Sequence, residues 1–228
     1  FNRNRKNAVW QRFISLTIGC FRRTFGVFFS IQPAGRNPMP ETLQQRIDRV
    51  TREEVALTDY NPRWPEMFEE EKAHLLGCLP GQLLGRIEHF GSTAVPGLCA
   101  KPVVDMLVEV SSLEETKKQI VPVLEEQRYD YFWRPSLFEG LPFYAWFIKR
   151  DRQGKRTHHI HMVESHFDHW QRLYFRDYLI EFPDVAREYH RLKRQLADQY
   201  PGDRIAYTRG KTEFIVRVTE KAKAYYKV

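Results

Sequence analysis

The sequence predicts an α+β fold, with a mixed α/β sheet in the middle of the chain and helices around it. Three observations predict it. Residues 84–90 and 103–110 read as strands joined by a Gly-Ser turn and an irregular loop. Residues 143–149 and 158–163 read as an antiparallel pair across the polar turn Asp151 to Lys155, where Gly154 supplies permissive backbone. Beyond residue 165, apolar residues recur at helical spacing.

Taken in order, residues 41–54 read as a polar linker or short helix, and Val55 to Tyr60 as a short strand. Asn61-Pro62 signals a turn and a helix start. Arg63 to Leu79 is then helical, with Trp64, Phe68, Ala73, Leu75, Leu76 and Leu79 inward, and Glu66, Glu69, Glu70 and Glu71 toward water. Pro80-Gly81 ends it. A second helix spans Leu113 to Gln127, with Leu113, Ile120 and Leu124 inside, and an aromatic strand covers Tyr129 to Trp133. Ser165 is placed to cap a helix with Asp168 as its capping-box partner, burying Phe167, Trp170, Tyr174 and Tyr178. Pro183 opens the next helix, marked by Val185, Tyr189, Leu192 and Leu196, and Pro201-Gly202 breaks it. The last helix runs over about Lys211 to Tyr226, with Phe214, Ile215, Val218, Ala222 and Tyr225 inward. No internal repeat interrupts this order.

Composition bounds the function. The 228 residues suffice for one domain with a core, or one domain plus an extension. The net charge of +7 is not a property of the body. Residues 1–38 hold 7 of the 36 basic residues and no acid, so the rest carries 29 basic against 29 acidic. A neutral body argues against a nucleic-acid-binding surface. Cys20, Cys78 and Cys99 have no metal spacing and read as reduced thiols, so a cytoplasmic location is expected.

The basic, Phe-rich stretch 1–38 ends at Met39, the first methionine. Three readings fit it: a targeting segment, a membrane-surface segment, or translated upstream sequence with Met39 as the true start. A mitochondrial location is the alternative if the stretch is native. No transmembrane span is expected, because Arg22-Arg23 splits the apolar runs. The division read from the chain is a basic extension and linker over 1–54 and a domain over 55–228.

The chemistry-bearing residues centre on 86–110. Asp105 is a lone acid near the start of an apolar strand, and burying an unpaired carboxylate is costly. Gly91, Ser92 and Thr93 offer backbone amides and hydroxyls to an anion. Together they suggest a phosphate cradle beside a metal-binding or base-like carboxylate; the bland alternative is an Asp bonded to loop amides near Ser92. A two-metal nucleotidyl-transfer site needs a second carboxylate two residues on, but that position is Leu107. Glu109 shares the face but lies about 13 Å further along. His159 and His161 fall on one face of a strand and can complete a metal site with Asp105 if the strands are neighbours; otherwise they are backbone-bonded strand histidines. His158 points the other way. Lys101 and Lys211 are candidates for a phosphate or are simply solvated, and Arg176 is a candidate for the same role or an exposed pair with Asp177.

Four runs, IEHFGSTAVPGLCAKPVVDMLVEV, HHIHMVE, FRDYL and AYTRGKTEFI, together resemble the GrpB family over residues 55–226. The resemblance implies a nucleotidyltransferase-like fold with a helical C-terminal part. In that superfamily a Gly-Ser turn holds nucleotide phosphates and strand carboxylates hold magnesium. Gly91-Ser92 matches the turn and Asp105 the first carboxylate, whereas Leu107 departs from the second. Some members resemble fusions to dephospho-CoA kinase, which hints at nucleotide or coenzyme metabolism.

The expectation is a metal-dependent, nucleotidyltransferase-like enzyme acting on a nucleoside triphosphate. Asp105 and His161 are its catalytic candidates. Asp105, His159 and His161 would hold a divalent ion, Mg²⁺ or Mn²⁺ ahead of Zn²⁺. Gly91, Ser92, Thr93, Lys101, Arg176 and Lys211 would hold phosphate. The alternative is a non-catalytic module of the same fold that binds a nucleotide or a coenzyme-A-related ligand.

Overall fold

The computed structural model describes residues 42–51, 55–135 and 143–228. The readings of residues 1–38 therefore fall outside the described residues. Helix α1 (Leu43–Thr51) belongs to a separate unit from the rest. Its start is a capping box: the Gln45 amide donates to Thr42 Oγ1 at 3.2 Å, and the Thr42 amide donates back to Gln45 Oε1 at 2.8 Å.

The second unit is built on one five-stranded sheet, in the order β1-β2-β5-β4-β3. Strands β1 (Leu84–Phe90) and β2 (Val104–Val110) pair antiparallel. Strand β5 (Arg156–Val163) runs parallel to β2, and β4 (Phe143–Arg150) pairs antiparallel with both β5 and β3 (Asp130–Pro135). The sheet is thus mixed, and the β4–β5 hairpin turns through Gly154 at φ 80° as the sequence suggests. Strand β2 lies inside the sheet, and Met106, Leu107 and Val108 are wholly buried.

One face of the sheet is covered by α2 (Trp64–Cys78) and α3. Helix α3 begins as an α-helical turn (Leu113–Glu115), widens into a π-helical stretch (Thr116–Ile120) and closes as α-helix (Val121–Glu126). Pro122 has no N–H to give to the preceding turn, which accounts for the widening. The opposite face carries α4 (Arg172–Glu181), α5 (Pro183–Gln199), α6 (Arg204–Gly210) and α7 (Thr212–Tyr226). The loop after the Gly-Ser turn is anchored among them: Val95 and Leu98 share a core with Leu179, Tyr189, Phe214 and Val218.

Several expectations are corrected. Val55 to Tyr60 is not a strand; it makes one isolated bridge, Thr58 with Ala100. Glu71 does not face water. It is 2% exposed, accepts from the Tyr129 hydroxyl at 2.6 Å and pairs with Lys149. Ala73 and Leu76 are exposed instead. Ser165 caps nothing: a 3-10 turn (Asp168–Gln171) precedes α4 and has no side-chain cap. Tyr174 and Tyr178 are only half-buried, and Leu173 and Leu179 form the buried stripe of α4. Tyr225 is exposed and donates to Glu181 Oε1 at 2.6 Å.

Candidate functional site

Three neighbouring strands bring the site together. In the parallel register of β2 and β5, Asp105 sits beside His159, and Leu107 beside His161. Residues paired in this way point to the same face of the sheet. Asp105, His159 and His161 each place a ligating atom within 4.8 Å of the others. His158, on the other face, is satisfied in the core by the Met67 carbonyl, 3.2 Å from its Nε2.

The Gly-Ser turn fits against this group. Gly91 has φ 74°, a conformation that glycine adopts freely. A Cβ at this position would fall 2.6 Å from Asp105 Oδ2. Thr93 is buried, with its hydroxyl 2.9 Å from His89 Nε2. The Ser92 side chain bonds with Tyr189, whose hydroxyl is pushed up by burial.

Beside the turn lies a cavity of about 110 Å³. Its polar wall contains Ser92, Thr93, Lys101, Asp105, His159, Lys193, Tyr207 and Lys211. Lys211 lies over the Tyr207 ring at 4.4 Å from its centroid, and Lys101 at 5.6 Å. Burial lowers the pKa of all three lysines, Lys193 to about 7 and Lys211 to about 8, while Asp105 pulls Lys101 and Lys211 back up. Three lysines converging on a small, partly dry space resist carrying their charges together, and an anion bound among them would stabilise their protonated forms.

The protonation states suit a metal site. Burial lowers the His159 pKa to about 4, against the pull of Asp105. Burial also holds His161 well below its ordinary value, reinforced by the charge of Arg172. Neutral imidazoles are the ligating form. Burial would raise the Asp105 carboxyl, but its bond to His159 and the charges of Lys101 and Arg172 hold it below the ordinary carboxylate value. His159 has both nitrogens engaged: Nδ1 lies 3.1 Å from Asp105 Oδ1 and Nε2 lies 3.3 Å from Arg156 Nη1. His161 Nδ1 meets the Tyr144 hydroxyl at 3.0 Å. Asp105 and His161 can therefore ligate as they stand, whereas His159 must first release Arg156 or otherwise serve to orient Asp105.

Of the residues that the sequence singles out, Ser92, Thr93, Lys101, Asp105, His159 and Lys211 line the cavity. Gly91 and His161 adjoin it through Asp105. Arg176 sits elsewhere: its Nη1 donates to Glu88 Oε2 at 2.9 Å and to the His89 carbonyl at 2.7 Å, and its Nε to Asp177 at 2.7 Å. Glu109 faces Arg86 at 3.1 Å. Sequence reasoning missed Lys193, Tyr207 and Arg156. Lys193 was legible as a lysine on the inner stripe of α5, between Tyr189 and Leu196.

The fold and the site define a class first: this is an α+β protein with a nucleotidyltransferase-like sheet, a Gly-Ser turn and a strand aspartate. The particular family follows from comparison. The family model for GrpB protein matches residues 54–221, and the chain belongs to the GrpB family. It is 38% identical to the glutamate-rich protein GrpB of Alkalihalophilus pseudofirmus over 167 residues, 73% of this chain and 94% of that protein. It is also 38% identical to the UPF0157 protein YqkA of Bacillus subtilis over 174 residues, 76% of this chain but about half (48%) of that protein. The crystal structure of the conserved protein GrpB from Enterococcus faecalis superposes with a TM-score of 0.65 at 34% identity, covering 76% of this chain and 100% of that one. Among the described residues, no helix is long and apolar enough to cross a membrane.

Proposed function

We propose that this domain holds the phosphates of a nucleoside triphosphate in the lysine-lined cavity, with a divalent metal at Asp105 and His161, and transfers its nucleotidyl group: an acceptor oxygen bonds to the α-phosphorus as the bond to the leaving pyrophosphate breaks. The observation that carries the reading is the convergence of Lys101, Lys193 and Lys211 on the cavity that also holds Ser92, Thr93 and Asp105. A metal ion held there supplies charge neutralisation and a Lewis acid for a phosphoryl oxygen. The chain's own residues do the rest. The Gly91–Thr93 turn positions phosphate, the lysines offset its charge, and His159 fixes the Asp105 carboxylate by a hydrogen bond. A donor set that includes the His161 imidazole beside the Asp105 carboxylate suits Mn²⁺ or Zn²⁺ better than Mg²⁺, which prefers oxygen ligands.

Leu107 favours a second reading. It is wholly buried where a second carboxylate would stand, so the domain would bind a nucleotide or coenzyme-A-like ligand without turnover. Pyrophosphate release from ATP, GTP, CTP and UTP with Mn²⁺ or Zn²⁺ separates the two. Release by the wild type that Asp105→Ala abolishes supports the transferase. Saturable binding with no release under any condition supports the binding module.

A further inference from the structure

The sheet face that carries Asp105 continues across β5 to β4 and β3, where it holds a second polar group. His161 leads into it. The Tyr144 hydroxyl is 3.0 Å from His161 Nδ1, and the His169 ring lies edge-on to Tyr144 at 4.4 Å between centroids. The Arg134 guanidinium stands over the Trp146 ring at 4.8 Å. Arg172 reaches in from α4 over Phe90 at 5.6 Å.

Two features of this group are costly to bury. Trp146 Nε1 and His169 Nε2 are buried without a hydrogen-bond partner, in residues only 8% and 3% exposed. Buried ring nitrogens left unpaired destabilise a fold. In addition, Arg134 and Arg172 repel each other; Asp105 attracts Arg172, but neither guanidinium makes an ion pair or hydrogen bond with a carboxylate among the described residues. A bound oxyanion would relieve both costs at once. Guanidinium groups favour planar, forked recognition of carboxylate or phosphate.

We propose that Arg134 and Arg172, with the ring N–H groups of Trp146 and His169, form a second oxyanion site across β5 from the lysine-lined cavity. It takes a carboxylate or phosphate of the second substrate. Naming that ligand as the acceptor rests on the transferase reading, whereas the site itself does not. On this account Asp105, His159 and His161 stand between two cationic poles, one for the nucleotide and one for its acceptor.

The full chain, labelled with ¹⁵N at its tryptophan indoles, tests this directly. The sequence has five tryptophans, and Trp146→Phe identifies the signal of interest. Inorganic phosphate and succinate are titrated separately. The Trp146 N–H signal is expected to shift saturably with at least one of them, and the tighter one names the group recognised. Arg134→Met and Arg172→Met should each weaken that response by about tenfold, whereas Lys211→Met should leave it within about twofold, since that lysine lies in the other pole. A Trp146 signal that stays still with both probes, or that shifts equally in Arg134→Met, overturns the site. If Arg134→Met loses its folded spectrum, Arg134→Lys decides: it keeps the charge but not the fork, and an undiminished response contradicts the proposal. The two ideas fail separately. Loss of metal-dependent ATP binding with a responding Trp146 removes the transferase reading alone; a silent Trp146 with intact ATP binding removes the acceptor site alone.

Discussion

At the scale of single residues, the site depends on one missing side chain and one buried charge. Gly91 leaves no room for a Cβ beside Asp105 Oδ2 and holds a left-handed φ. Gly91→Ala should therefore cost about 1–2 kcal/mol in urea unfolding and weaken metal-dependent nucleotide binding by displacing the carboxylate. Unchanged binding would show that the turn and the carboxylate are not one unit. Lys193 is 1% exposed and donates to the Cys99 carbonyl, and its pKa falls to about 7 from burial. The unfolded chain therefore binds more protons than the folded one between about pH 7 and about pH 10.4, so Lys193 makes stability rise with pH across that window and adds no slope below it. Lys193→Met should flatten that rise and be more stable than wild type near pH 6, by about 1–2 kcal/mol. An equal slope in both proteins would place the charge elsewhere.

At the scale of elements, α2 and the sheet are tied by a buried polar contact that amphipathic spacing hides. Glu71 sits in an acidic run, which reads as a water-facing surface, yet it joins Tyr129 and Lys149 beneath α2. Glu71→Ala should cost about 2–3 kcal/mol by leaving Tyr129 and the part-exposed Lys149 without their acceptor; a loss below about 0.5 kcal/mol would make the contact incidental. The strands β1, β2, β4 and β5 were legible as short runs, alternating in β1 and mostly apolar in β2, bounded by Gly and polar turns. The segment from Val55 failed because its pattern is strand-like while its backbone bonds go to scattered partners: Thr58 bridges to Ala100, and the Val55 amide donates to the Pro201 carbonyl at 3.3 Å. Helix α6 was missed although its signal was present: Asp203 caps it, accepting from the Ile205 and Ala206 amides at 3.0 and 2.9 Å.

At the scale of the whole molecule, what the sequence shows is local and what it hides is non-local. Asp105, the His159–His161 pair and the Gly91–Thr93 turn each carry a local signature. That β2 and β5 are adjacent and parallel, so that Asp105 meets His159, follows only from the sheet order. The lysines illustrate the same limit. Lys101, Lys193 and Lys211 come from a loop, α5 and the turn before α7, and only packing of the C-terminal helices over the sheet makes them one wall. Arg176 was read either as a phosphate candidate or as an exposed pair with Asp177; it does pair with Asp177, and the same packing directs it to Glu88 as well.

The central claim is that Asp105 and the three lysines together bind a nucleotide through a metal. Thermal unfolding of the full chain, with ATP in the presence and absence of Mn²⁺, tests it most directly when run beside Asp105→Ala. A ligand at 100 times its dissociation constant stabilises the fold by about 2.7 kcal/mol, which gives a clear rise in Tm. That rise is expected in wild type only when ATP and Mn²⁺ are both present, and is expected to be lost in Asp105→Ala. An equal rise in the variant, or none in the wild type with ATP and Mn²⁺ together, would contradict it.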